Sequence, residues 1–336
     1  MERDEIIIRK AIVHILDSTI GMPVLSDHLL ELGPDLNDFL RGHIFKIASS
    51  DDMKSCNFNQ EESFVYQCIQ DFREEDLIRV SQEIAKYLYT ILNQNIDITP
   101  GDLFIVTYQY GSTLYLAFLK MNYKESYIHY ASTDEEGNYN DIIKQKVTLP
   151  SDSTKLSEAV LINLSDYSVK LVEKKYEING VKTNYLSEIF LQCQTKLSPK
   201  AKLNIITKAV EQIQEKYYED DFDKHMEVKA IIHQEYMEQG AINVESIREK
   251  IFGEQNEIKE EFTEKLEKYN LHTEEVKPQN KQTTKKFEKQ YLTTDTGIEI
   301  NIPMDQYNDK NNVEFITNPD GTISVLIKNI SKITTK

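Results

Sequence analysis

Cations are in short supply. The 336 residues hold 39 Lys and Arg against 56 Asp and Glu, a formal charge of −17. A uniformly acidic surface excludes nucleic acid, because phosphate contact needs Lys and Arg. Net charge is not the local field, however, so such a chain binds a polyanion only where its cations gather on one surface. Cysteine is scarce too. Cys56, Cys68 and Cys193 are odd in number and far apart, which argues for a reducing cytosol and against both a disulfide framework and a zinc site. No apolar run approaches the roughly 20 residues that cross a bilayer. The opening MERDEIIIRKA carries acids and lacks the long apolar core and cleavage site of a signal peptide.

The motifs of common catalysis are missing. There is no Walker pattern, no dinucleotide fingerprint and no Gly-x-Ser-x-Gly elbow. His225 and His233 lack the paired spacing of a zinc site. Glu219, Asp220, Asp221 and Asp223 lack calcium-loop spacing and read as a solvated inter-helix loop. Glu173 and Lys175 form a Glu-x-Lys pair on an expected strand, the one trace of a metal-dependent nuclease. The expectation is a protein with no catalytic residues, no metal ligands and no cofactor.

What is present is a core. Hydrophobic residues make up 40% and charged residues 28%, the balance of a globular chain long enough for two or three domains. The longest apolar and aromatic region runs from Asp97 to Tyr130. Within it Leu103–Tyr110 and Leu114–Tyr123 flank Gly111-Ser112, the pattern of two antiparallel strands around a tight turn. Both arms are nearly continuously apolar, as in strands covered on both faces. Ile6–Leu16 predicts an opening strand. Helical spacing follows Asp35, then recurs at Phe64–Phe72 and Asp76–Asn93. After the hairpin come a polar insertion, STDEEGNYND, and further strands at Lys146–Leu149, Glu158–Leu164 and Val169–Tyr176, with Asn179-Gly180 as a turn.

Composition shifts after Tyr185. Ser198-Pro199 is a helix start, a capping serine followed by proline at the first helical position. Further helices are expected over Lys224–Gln239, from Asn243 to Phe252, and over Glu257–Tyr269. The second of these, VESIREKIF, balances Arg248 and Lys250 against Glu245 and Glu249, so a helix-turn-helix outline here reads as packing. Glu274–Gln290 reads as a polar, basic linker or extended arm. Asn318-Pro-Asp-Gly321 marks a turn between two terminal strands. The expectation is α+β: residues 1–185 a mainly antiparallel sheet with packed helices, 186–272 helical, and 273–336 a basic linker with a short β unit.

Two stretches concentrate lysine. Lys196, Lys200, Lys202 and Lys208 surround an expected helix N-terminus, with no acid between Lys196 and Val210. Cations in a first turn oppose the helix dipole, and a phosphate ligand would supply a reason for them. By helical arc Lys200 and Lys208 flank the apolar face and Lys202 points towards it. The competing reading is ordinary surface lysine, with Lys202 snorkelling over the core edge. Lys277, Lys281, Lys285, Lys286 and Lys289 form the second stretch, interrupted by Glu288; a solvated linker is its competing reading. Neither stretch interleaves arginine and aromatics, so any contact would fall on the backbone.

Several segments together resemble one family: IVHILDST with LSDHLLEL, GDLFIVTY with LYLAFLK, IFLQCQTKLSPKAKLNIITKAVEQI, and GIEINIP with VEFITNPDGTISVLIKNI. They are similar to the bacterial 37-kDa-class nucleoid-associated proteins of the NdpA/YejK type. The resemblance spans nearly the whole chain, and insertions such as Thr133–Asn140 depart from its shorter loops. It implies a cytoplasmic protein at the nucleoid that binds double-stranded DNA or DNA-bound machinery, including other nucleoid-associated proteins, without chemistry of its own. The candidate DNA contacts come from the charge reading alone. Two alternatives stand beside it: a protein-interaction component of a mobile-element or phage-defence system, and the nuclease. A homodimer rests only on the frequency of two-fold assemblies.

Overall fold

The computed structural model describes residues 1–18, 21–135, 137–218, 222–307, 309 and 311–334. The chain forms two compact units, Met1–Ser198 and Pro199–Lys336.

The first unit is built on seven antiparallel strands. Its elements in chain order are β1 (Ile6–Leu16), α1 (Pro34–Ala48), β2 (Lys54–Phe58), α2 (Phe64–Ile69), α3 (Leu77–Gln94), β3 (Gly101–Tyr110), β4 (Thr113–Asn122), β5 (Lys124–Asp134), β6 (Gly137–Thr148), β7 (Glu158–Asn163), β8 (Val169–Val172), β9 (Tyr176–Ile178), β10 (Val181–Thr183) and β11 (Cys193–Lys196). The sheet order is β1-β3-β4-β7-β8-β2-β11. The expected hairpin is its centre: Tyr110 pairs with Thr113, and Gly111 turns the chain at a φ of 59°.

Alternation explains the near-continuous apolar strands. Leu103, Ile105, Leu116 and Phe118 face a core made with α2 and α3, while Phe104, Val106, Ala117 and Leu119 face a second core with α1. The sheet is therefore covered on both sides, as expected of strands that read apolar throughout. Local signals set the helix starts. Pro34 begins α1 one residue before Asp35, with Gly33 at the cap, and the Ser63 hydroxyl accepts from the Tyr66 N–H at the head of α2.

Three expectations for this unit are overturned. Cys56 and Cys193 are joined in a disulfide, so the prediction of no disulfide fails. Strands β2 and β11 are antiparallel neighbours, which brings together two cysteines 137 residues apart with Cα atoms 5.9 Å from each other, within bridging distance. The strand expected over Val169–Tyr176 stops at Val172, so Glu173 and Lys175 lie in the link to β9. The polar insertion is the outer end of a long hairpin, β5 with β6, whose register runs from Lys124 opposite Thr148 to Asp134 opposite Gly137.

The second unit comprises α4 (Pro199–Tyr217), α5 (Phe222–Gln239), β12 (Ile242–Asn243), α6 (Val244–Phe252), α7 (Asn256–Glu267), β13 (Glu275–Val276), α8 (Lys281–Glu288), β14 (Lys289–Thr293), β15 (Glu299–Pro303), the single turn α9 (Met304–Tyr307), β16 (Val313–Thr317) and β17 (Ile323–Ile327). Leu203, Ile206, Val210 and Ile213 of α4 join Ile247, Phe262 and Leu266 in one core. Asn243 caps α6, its side chain accepting from the Ser246 N–H at 3.0 Å. Asn318-Pro-Asp-Gly321 makes the last turn, with Gly321 at a φ of 83°. The basic linker is a correction. Residues 274–290 carry β13 and α8, because Asn280 caps the helix through the Gln282 N–H and Thr284 and Phe287 are buried beneath it. The fold is α+β, as the order of elements implied.

Candidate nucleic-acid interface

Among the described residues, a carboxylate holds some of the lysines singled out by sequence and leaves others exposed. Lys202 sits in the first turn of α4 and its Nζ lies 2.6 Å from Glu274 Oε1, with both side chains mostly covered. Here the acid absent from the local sequence is supplied from 72 residues away. Lys277 pairs with Glu275 at 2.8 Å. The far end of α4 is likewise neutralised: Lys216 Nζ lies 2.6 Å from Glu261 on α7, which raises the lysine pKa and lowers that of the carboxyl.

Lys208 stands between these two ends, exposed, with no ion pair among the described residues. Lys285 and Lys289 are exposed at α8 and the start of β14, also without a carboxylate partner among the described residues. Lys281 and Lys286 share α8 with Lys285; the description covers their backbone only. Lys200 is exposed at the second position of α4. Lys196 belongs to the other unit. It ends edge strand β11, exposed, beside a shallow cleft of about 650 Å³ lined by Asn57, Asn59, Glu62, Glu188 and Gln194. The structure thus places Lys200, Lys202 and Lys208 on α4 and the later lysines on and beside α8, all in one unit. Helix α4 packs on α7 and β13, and α8 on α5 and α9.

Ion pairs inside the second unit also occupy α6. Arg248 contacts Glu249 and Thr263, and Lys250 Nζ lies 2.7 Å from the buried Glu235. The second helix of the helix-turn-helix outline packs Val244, Ile247, Ile251 and Phe252 into the core.

The carboxylates considered for chemistry are engaged in structure. Glu173 is fully covered; it binds Lys54 Nζ at 2.8 Å and accepts from the backbone N–H and hydroxyl of Ser187. Among the described residues no group of three or more His, Cys, Asp or Glu is placed to hold a metal ion. The acidic run Glu219-Asp220-Asp221 lies outside the described residues, as do the side chains of Asp223 and His225. His233 on α5 is half-buried, and burial lowers its pKa.

Sequence reasoning missed two surface features, the cleft beside β11 and the free β5–β6 hairpin. The cleft is assembled from three separated segments and leaves no local signal. The hairpin did leave one, in Tyr127, Ile128 and Tyr130 before the polar turn and Ile142 and Ile143 after it.

The molecule is a two-unit α+β protein whose buried carboxylates Glu158, Glu173 and Glu235 are bonded to lysines of the same unit. The chain is a member of the nucleoid-associated protein YejK family, whose model matches residues 12–334. That coverage takes in both units and gives the protein a nucleoid-associated role. A comparison with curated proteins finds no match. No helix among the described residues is long and apolar enough to cross a membrane.

Proposed function

We propose that the protein is a non-enzymatic DNA-binding protein of the cytoplasmic nucleoid, contacting the phosphate backbone of double-stranded DNA with little sequence preference. The observation that supports this reading is the exposure of Lys208, Lys285 and Lys289 on a family member's second unit, free of the carboxylates that hold Lys202 and Lys216. Lys200, Lys281 and Lys286 extend the same two helices, and Lys196 is the candidate on the first unit. Lysine contacts without arginine forks favour phosphates over base edges. A chain at −17 meets long-range repulsion from DNA, so attachment depends on these few cations and weakens steeply with salt. Titrating long duplex DNA with the full chain across a salt series tests the reading; no binding at low salt removes it.

A further inference from the structure

Among the described residues the β5–β6 hairpin has no neighbour in any sheet. Each strand pairs only with the other, so each keeps one open edge of backbone N–H and C=O groups. Its apolar side chains are also uncovered. Tyr127 is 69% exposed and Ile142 64%, and Ile128, Tyr130, Tyr139 and Ile143 are 40–53% exposed. Both faces carry them: Ile128 lies opposite Ile143 on one, and His129 opposite Ile142 on the other. A lone two-stranded hairpin is marginal in water, and clustered exposed apolar surface marks an interaction site.

We propose that this arm is a dimerisation element and that its occupant is the same arm of a second copy of this chain, laid antiparallel along the open edge of β5. Symmetry fixes the register. A two-fold axis through an antiparallel strand pair sets one residue opposite itself. The midpoint of Lys124–Asp134 is His129. That register puts Ile128 of one copy opposite Tyr130 of the other, the aromatic with β-branched pairing that stabilises sheets. It also lays the base of one arm along the outer end of its mate. Lys144 is held by Glu125 at 2.6 Å, but the base also carries Lys124 and Lys146 and the outer end carries Glu135, so opposite charges meet at both ends.

The rest of the chain makes an identical copy the fitting occupant. At −17, most surfaces of the molecule repel their own duplicates. The apolar part of the arm does not, because Lys124, Lys144 and Lys146 stand against only Glu125 and Asp141. The same balance makes it a poor match for DNA. Pairing along β5 covers its open backbone edge and the flanking Tyr127, Ile128 and Tyr130 of both copies, an interface at the small end of the range.

Sedimentation velocity on the nuclease-treated full chain is the test, and it is independent of DNA binding. The expected result is a dimer at micromolar concentration that Ile128→Lys with Ile142→Lys converts to a monomer. A second variant replaces residues 125–147 with a short Gly-Ser turn. Lys124 and Thr148 are register partners, so this closes the chain without strain; it too should be monomeric, with unchanged unfolding of the first unit. His129→Cys in a Cys68→Ser background should form a covalent dimer under mild oxidation. A wild-type monomer at high micromolar concentration overturns the proposal. So does a dimer that persists without the arm, or an arm that gains hydrogen-exchange protection only when a different protein is added.

Discussion

Lys202 Nζ and Glu274 Oε1 lie 2.6 Å apart, tying the first turn of α4 to the residue before β13. A lysine that reads as a phosphate ligand in the linear sequence therefore has a carboxylate already in place. Lys208, two turns further along the same helix, has none among the described residues. The two positions should separate in a binding experiment. Each phosphate contact contributes about one to the slope of log K against log salt. Lys208→Ala is expected to weaken binding to long duplex DNA and lower that slope by about one. Lys202→Ala should leave the slope where it was and act on the stability of the second unit instead. Equal slope changes from both variants would show that Glu274 does not hold Lys202 in solution. No change from Lys208→Ala would take α4 out of the interface.

The same contrast shows where the sequence is legible. The β3–β4 hairpin, the start of α6 at Asn243 and the turn at Asn318–Gly321 depend on residues within a few positions of one another, and these were readable; the Ser63 cap, equally local, was missed. The Lys202–Glu274 pair, the Cys56–Cys193 bridge and the packing of Glu173 with Lys54 join residues 72, 137 and 119 positions apart, and no local pattern reports them. Helix α8 failed for a different reason. Its lysines outweigh its few apolar residues, so Thr284 and Phe287, which seat it, are lost in a polar run. Of the candidate interface, the lysine positions were visible; which of them a carboxylate already holds was not.

Protonation of two buried histidines should set the acid limit of the first unit. His14 Nδ1 accepts from the Ser26 N–H at 3.1 Å, so its proton sits on Nε2 and is donated to Ser81 Oγ at 2.9 Å. Burial lowers its pKa to about 4. His43, packed edge-on against Phe39, is also lowered to about 4, by burial and then by Lys46. Both are neutral when folded and bind protons near pH 6.5 when unfolded. Between pH 6.5 and 4 the unfolded chain holds more protons, so stability is complete above that window and falls as pH drops through it. Thermal unfolding from pH 7.5 to 4.5 should show Tm declining below pH 6.5. His43→Met should flatten the decline, and an unchanged profile would assign the acid limit to other groups.

The Cys56–Cys193 bridge fastens edge strand β11, the last strand before the second unit begins. A disulfide typically adds about 2–4 kcal/mol, and chain entropy alone puts a loop of this length at the upper end or above. Cys68 is the remaining thiol, and burial beside Glu83 pushes its pKa up to about 11, so it reacts sluggishly. Alkylation of the air-oxidised chain in denaturant is expected to label one cysteine without reductant and three with it. Cys56→Ser with Cys193→Ser should lower Tm by on the order of 10 °C against the oxidised protein. In a reducing compartment the pair would be open, so the same loss should appear on adding reductant to the wild type. Three labelled cysteines without reductant would show that the strands meet as thiols.

The centre of the first unit contains a charged pair that tolerates little change. Glu158 on β7 and Lys120 on β4 are almost entirely covered, with Nζ 3.1 Å from Oε2. Glu158 also accepts from Asn122 at 2.7 Å, Tyr176 at 2.9 Å and Tyr185 at 2.5 Å, while Lys120 donates to the Thr99 carbonyl at 2.7 Å. Burial lowers the lysine pKa, and Glu158 opposes that shift. Two desolvated charges with every partner in place cost little; one charge left alone costs about 3–5 kcal/mol. Lys120→Met, which abandons the carboxylate, should therefore unfold the unit at much lower denaturant than wild type. Lys120→Met combined with Glu158→Gln should recover most of that loss, because the neutral amide can still bond Tyr176 and Tyr185. The measurement is a double-mutant cycle in urea, read from midpoints at constant slope. Additive losses would mean that the two side chains act separately, and the network would then owe its stability to the tyrosines and Asn122 rather than to the pair.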